Sequence, residues 1–248
     1  MEALLATCME PTTWGILAVI FVAVVVRAAF GFGDVLVSVP ILTLFVSPKM
    51  AIPLMGLVGA TNALLMLWRE RGDVQWRPVR VLLMASVIGV PIGVMLLGWL
   101  PERAINVGLG VMLMLFCVWS LSGRSSVRLH APAWALPFGF GAGVMGGAVT
   151  ATGPPIVIYS TTQDWAPEER RATMQGFFLP NGIFVLISHG IAGFWTLEVL
   201  RTYALAVPVC LLALPVGAVV ASRLSRSLFE RITFLVLLAA GVLLVLGG

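Results

Sequence analysis

Arg27 and Asp34 are the one cation and the one acid set well inside apolar runs of this chain, and they flank a glycine-rich break, Phe30-Gly31-Phe32-Gly33-Asp34. A second break reads Gly146-Gly147-Ala148-Val149-Thr150-Ala151-Thr152-Gly153-Pro154-Pro155. A short apolar run follows each, so each break is expected to restart a helix. Thr152 stands as an N-cap with Pro154 in the first turn, a favourable start, and Asp34 takes the corresponding N-cap place in the first copy. N–H groups at a helix start lack helical partners and lie at the positive dipole end, so they attract anions. Two such ends facing each other would hold a small anion. The candidate donors lie at Gly31 and Gly33 in one break and at Gly147, Thr150, Thr152 and Gly153 in the other. A competing reading is that these glycines only let helices pack closely; the whole pattern occurring twice favours the site.

Arg27 has two readings. It snorkels to a membrane interface, or it offers a planar, permanently charged fork to an oxyanion. Its counterpart in the second copy is read as Ala142. A charged Asp34 at mid-depth costs about 2.5–3.5 kcal/mol on insertion scales, which leaves three roles: coupling a proton or sodium, pairing with Arg27, or capping the helix. Asn62 and Asn181 recur at matching positions after each break and serve either as helix–helix glue or as substrate ligands. Gln175 and Thr150 are secondary candidates, and His189 is read as interfacial.

The elements that must position these residues follow from composition. Hydrophobic residues make up 60% of the 248 and charged residues 10%, with a mean hydropathy of +1.05. A soluble domain carries about 25% charge, so an integral membrane protein is expected. A crossing needs ~20 mostly apolar residues, and such segments cover roughly 12–30, 50–68, 78–100, 103–121, 132–149, 172–194, 198–222 and 228–247. The runs 35–46 and 154–163 are too short to cross alone. Trp14, Trp68, Trp76, Trp99, Trp134 and Trp195 lie near span ends, as aromatic belts do. The net charge of +4 is topogenic arginine in short loops, not a nucleic-acid footprint. Cys8, Cys117 and Cys210 lack metal spacing and imply no disulfide framework. The N-terminal run lacks a basic stretch and a cleavage site, so no signal peptide is expected.

The unit is duplicated. Gly31 and Pro40 match Gly146 and Pro155 at a shift of 115; Pro48, Met55, Asn62 and Trp76 match Pro167, Met174, Asn181 and Trp195 at 119; Pro91, Gly93 and Leu100 match Pro215, Gly217 and Leu224 at 124. The repeats divide the chain as 1–125 and 126–248. Arginine loops orient them: Arg69, Arg71, Arg77 and Arg80; Arg124 and Arg128; Arg170 and Arg171; Arg223, Arg226 and Arg231. Placing all four loops in the cytoplasm makes each copy an out-and-back hairpin plus three crossings. The fold expected is therefore an all-α polytopic membrane protein of two inverted repeats, each a Gly/Pro-broken helical hairpin plus three transmembrane helices. Both termini then face the periplasm, which the acidic start (Glu2, Glu10) allows. A rival count, with each broken segment crossing once, makes the repeats parallel. Interrupted segments at matching places in two halves point to a secondary transporter's binding site.

At these residues the chain resembles the sulfite exporter TauE/SafE family of bacterial membrane proteins. The matching text is Gly31-Phe32-Gly33-Asp34 to Pro40-Ile41-Leu42, and Gly143 through Pro154-Pro155-Ile156. Asp34 stands where the family usually has a third glycine, and Ala148-Val149-Thr150 precedes the second copy's prolines. The resemblance implies transport of sulfite, sulfonates or other small sulfur-containing anions, often as export, across the bacterial inner membrane and coupled to an ion gradient (H+ or Na+). It implies no cofactor and no nucleic-acid partner; membrane lipid surrounds the chain, and a homo-oligomer is compatible with it. A small-anion channel without coupling is the alternative. An enzyme is not expected, because the apolar region holds no paired carboxylates, His cluster or Ser/His/Asp set, and no phosphate-binding Gly-x-x-x-x-Gly-Lys-Ser/Thr loop suggests ATP use.

Overall fold

Why the chain breaks where it does is visible in its backbone angles. In the computed structural model, which describes residues 11–67, 73–122, 128–129, 131–223 and 226–247, Gly31 and Gly33 have φ of +83° and +102°, and Thr150 has φ of +57°. A left-handed residue cannot continue a right-handed helix, so the chain turns at both places.

Ten α-helices result among the described residues: α1 Pro11–Phe30, α2 Asp34–Leu42, α3 Pro48–Leu67, α4 Trp76–Trp99, α5 Glu102–Leu121, α6 Ala135–Val149, α7 Gly153–Thr161, α8 Pro167–Ile191, α9 Leu197–Arg223 and α10 Arg226–Gly247. Five are long and apolar enough to cross a membrane, namely α1, α4, α5, α8 and α9. By contrast α6, at 15 residues, rises about 22 Å, short of the ~30 Å hydrocarbon core. Helices α2 and α7 have nine residues each. Glu2, Cys8, Glu10, Trp68, Arg69, Arg71 and Arg124 lie outside the described residues, as do the side chains of Arg226 and Arg231.

The element ends correct the repeat register. Phe30 and Val149 end the first hairpin arms, Asp34 and Gly153 begin the second arms, and Pro48 and Pro167 begin the next helices; each pair differs by 119. The amides of Gly31 and Thr150 close the same final turn, onto the carbonyls of Arg27 and Gly146. The shift of 115 matched glycines and prolines one turn away from their structural partners. At the spacing of the helix ends, position 27 falls on Gly146 and not on Ala142.

Helix α4 packs on α6, and α9 packs on α1. The α4–α6 seam is built from backbone. Gly139 lies on Leu82, Gly143 on Ser86 and Gly147 on Val90, and from the other side Gly89 and Gly93 lie on Phe140 and Val144. The register advances four residues on both helices, so they run parallel. A methyl at any of these five glycines would overlap facing backbone. Such small-residue seams supply close van der Waals contact where lipid offers no hydrophobic drive between helices. Along α5 and α10, Gly110 meets Leu244 and Val245 while Gly241 meets Leu113 and Met114.

The loops collect at two ends. At one, Ser47 donates to Glu102 at 2.5 Å, Lys49 reaches the Gly98 carbonyl, and Thr12, Val46, Glu198 and Arg201 share a cavity. At the other, Gln75 meets Thr173 and Glu169, and Arg128 meets Asp164 and the Gln163 carbonyl. Exposed Trp14, Trp76, Trp99, Trp134 and Trp195 stand near helix ends.

Candidate functional site

The two hairpin tips meet. Phe32, Gly33, Asp34, Val35 and Leu36 from the first, and Thr150, Ala151, Thr152 and Gly153 from the second, line one cavity of about 60 Å³. Gly153 faces the Phe32 ring. Helix α3 contributes Gly56, Gly59, Ala60 and Ala63, and α8 contributes Phe178, Gly182 and Val185. That volume accommodates a few waters or one small solute.

Arg27 lines this cavity and is 6% exposed. It does not snorkel: its Nη1 donates to both carboxylate oxygens of Asp34 at 3.0 Å. Its Nε and Nη2 have no hydrogen-bond partner. Asp34, 2% exposed, is correspondingly an ion-pair partner and not the expected N-cap. Gly33 occupies the N-cap position without a side-chain bond, and Asp34 is the first helical residue. The Asn62 side-chain amide donates to Asp34 Oδ2 at 3.4 Å, while Asn62 Oδ1 has no partner.

The second tip is poorer in donors than expected. Thr152 does hold the N-cap position but makes no side-chain cap bond. Pro154 and Pro155 follow Gly153 directly and carry no N–H. The first turn of α2, residues 33–36, has no such gap, and its amides lack helical partners. The anion-attracting features therefore concentrate on the first hairpin, with Gly146 and Gly153 standing where the first copy has Arg27 and Asp34.

Each tip is tied to the opposite half. Gln175 Nε2 donates to the Gly31 carbonyl at 2.7 Å, and Thr150 Oγ1 donates to the Ile52 carbonyl at 3.0 Å. Gln175 thus braces a tip from outside the cavity lining. Asn181, 1% exposed, lies beside Gly146 with neither amide atom partnered. Gly147 is outside the lining and belongs to the α4 seam. His189 is also not interfacial: it is fully buried, with Nε2 2.8 Å from the Gly147 carbonyl and its ring edge-on to Phe194. Sequence reasoning missed the α3 wall, although Gly56, Gly59, Ala60 and Ala63 repeat at i, i+3, i+4 and i+7, one face of a helix.

Such a site can hold a small oxyanion by charge and by hydrogen bonds from a buried guanidinium and a helix start. Neither a curated protein nor a solved structure matches the chain. A family model does, the sulfite exporter TauE/SafE, over residues 16–244. That match includes both broken hairpins and most of all ten helices, and the chain belongs to the sulfite exporter TauE/SafE family.

Proposed function

We propose that the protein is a secondary transporter of small sulfur-containing oxyanions, sulfite or organosulfonates, bound between the two hairpin tips. The observation that carries this reading is Arg27: a buried guanidinium on the cavity wall with Nε and Nη2 unpartnered. Leaving such donors empty in a buried site is costly, and two oxygens of one oxyanion satisfy both at once. Asp34 cancels the charge of Arg27, so the empty cavity is close to neutral and suits a weakly held, exchangeable solute. The small-residue wall of α3 keeps the pocket to the size of a compact anion.

Inverted repeats complete the reading. Support comes from the parallel α4–α6 seam, from the opposed contacts of α5 and α10, and from α1 and α6 starting at opposite ends. Arg77, Arg80, Arg128, Arg170, Arg171 and Arg223 gather at one end, against Lys49, Arg103 and Arg201 at the other. The positive-inside rule puts the first end in the cytoplasm of a bacterial inner membrane. Labelling Glu102→Cys from outside and Asp164→Cys from inside is the expected result; the same face for both contradicts inversion.

A thermal-shift screen of the purified protein tests the substrate class against sulfite, sulfate, thiosulfate, taurine, sulfoacetate and isethionate. A ligand of the native state raises Tm in proportion to the logarithm of its concentration above Kd. A sulfur oxyanion should raise Tm in the native protein and fail to do so in Arg27→Ala. An equal rise in that variant removes the arginine from the site.

A further inference from the structure

We infer, resting on the anion site just described, that each anion enters the cavity together with one proton, taken by Asp34 as the anion docks on the free Nε–Nη2 edge of Arg27. Charge is the first reason. Among the described residues Arg27 and Asp34 are the only charged ones on the cavity wall, and together they sum to zero. A monoanion arriving alone would leave an uncompensated negative charge in a buried space, the arrangement proteins tolerate least. It would also dock on the edge of the same guanidinium that Asp34 already holds, carboxylate against oxyanion. Protonating Asp34 from water removes both problems and keeps the loaded site neutral.

The hydrogen bonds give the second reason, and it is independent of the first. Within the Arg27–Asp34–Asn62 group the buried polar atoms that lack partners are Arg27 Nε and Nη2, which can only donate, and Asn62 Oδ1, which can only accept. Asn62 is fully buried, and its amide already lies 3.4 Å from Asp34 Oδ2. An ionised Asp34 has no hydrogen to offer Asn62 Oδ1. A protonated Asp34 has one, and the acceptor stands beside it. Anion plus proton therefore satisfies every one of these atoms, whereas the anion alone leaves the Asn62 oxygen empty.

The surroundings leave the proton to Asp34. The charged and titratable groups facing it are Arg27 from α1 and the Cys210 thiol from α9, which lies within electrostatic reach. Asn62 from α3 and Ser38 from α2 itself, bonded to the Asp34 carbonyl at 2.7 Å, do not titrate. A sodium ion at the carboxylate would sit directly against the guanidinium that Asp34 already holds, and like charges at that distance repel. Transport of a monoanion is then electroneutral, with one proton moving in the same direction.

Calorimetry on the intact protein counts the protons. Isethionate, a permanent monoanion, and sulfite, with its own protonation subtracted by a blank, are titrated in buffers of different ionisation enthalpy. One proton taken up per anion is expected, and linkage of one proton to binding makes affinity fall as pH rises, by up to about tenfold per pH unit. Binding heat with no proton uptake overturns the inference and leaves the anion site standing; absence of binding by either probe overturns both. Asp34→Asn mimics the protonated acid, its amide able to donate to Asn62 Oδ1. It should bind isethionate with no proton uptake and with less than a twofold change across the same pH range. In proteoliposomes it should lose accumulation driven by a pH gradient. Accumulation that persists in this variant, or that follows sodium instead, refutes the role of Asp34.

Discussion

Removing Arg27 alone strands Asp34, and the size of that loss is set by the structure. In the native protein both carboxylate oxygens rest on Nη1 at 3.0 Å, and the remaining side-chain donor is the Asn62 amide at 3.4 Å. With 2% of its surface exposed, the carboxylate cannot recover its hydration by a small shift. Breaking a buried pair on one side costs about 3–5 kcal/mol, which for a chain of this length corresponds to roughly 6–20 °C in Tm. Arg27→Met therefore sets one corner, and Asp34→Leu should cost a similar amount, because it removes the one partner the guanidinium has. Replacing both partners together, Arg27→Met with Asp34→Leu, removes both charges and fills the space, and buried pairs exchanged this way are about neutral or better. Thermal unfolding of the four proteins, followed through tryptophan fluorescence, closes the cycle. The double variant should lie within about 1 kcal/mol of the native protein while each single lies well below it. If the single losses simply add in the double, or if neither single loses more than about 1 kcal/mol, the pair is not the coupled, dehydrated unit described.

Other positions separate packing from function. Thr150→Ala keeps the left-handed strain at φ +57° and loses the bond to the Ile52 carbonyl, whereas Thr150→Gly loses the bond but relieves the strain; the glycine variant should be the more stable by about 1–2 kcal/mol. Gly143→Val drives a side chain into the Ser86 backbone and should cost at least the ~1–3 kcal/mol of an overpacked core, while Gly182→Ala, with open space around it, should leave Tm unchanged. Asn62→Ala should lower stability by about 1.5–3 kcal/mol, as loss of a hydrogen bond to a charged group does. Asn181→Ala gives up no hydrogen bond and should hold its Tm; a drop in transport without a drop in Tm marks it as functional, and an equal drop in both marks it as packing.

Much of the architecture was legible because lipid demands long apolar runs: eight predicted crossings correspond to eight helices within a few residues at each end, and the two short runs correspond to α2 and α7. The tips were legible because glycine and proline announce broken helices. What lay out of reach depends on partners distant in sequence. That Arg27 turns inward to Asp34 depends on the chain reversing at Gly31 and Gly33, which brings residues seven apart to 3.0 Å; periodicity alone carries no such contact. The burial of His189 arises from α6 lying across α8, and its position near a helix end pointed the wrong way. Gly147 looked like a tip glycine because the break was placed a turn early, and the 119-residue register returns it to the α4 seam. The weakness of the second tip as a donor was, by contrast, readable: Pro154 and Pro155 remove two N–H groups from the very turn credited with binding.

A selenium oxyanion tests the site most directly. Selenite is a close analogue of sulfite and scatters anomalously, so crystals grown with it report its position without reference to transport or stability. The account predicts an anomalous peak in the cavity between residues 31–36 and 150–153, within hydrogen-bonding distance of Arg27 Nε or Nη2, and absent in Arg27→Ala. A peak elsewhere in the bundle, or one that survives loss of the arginine, would contradict it.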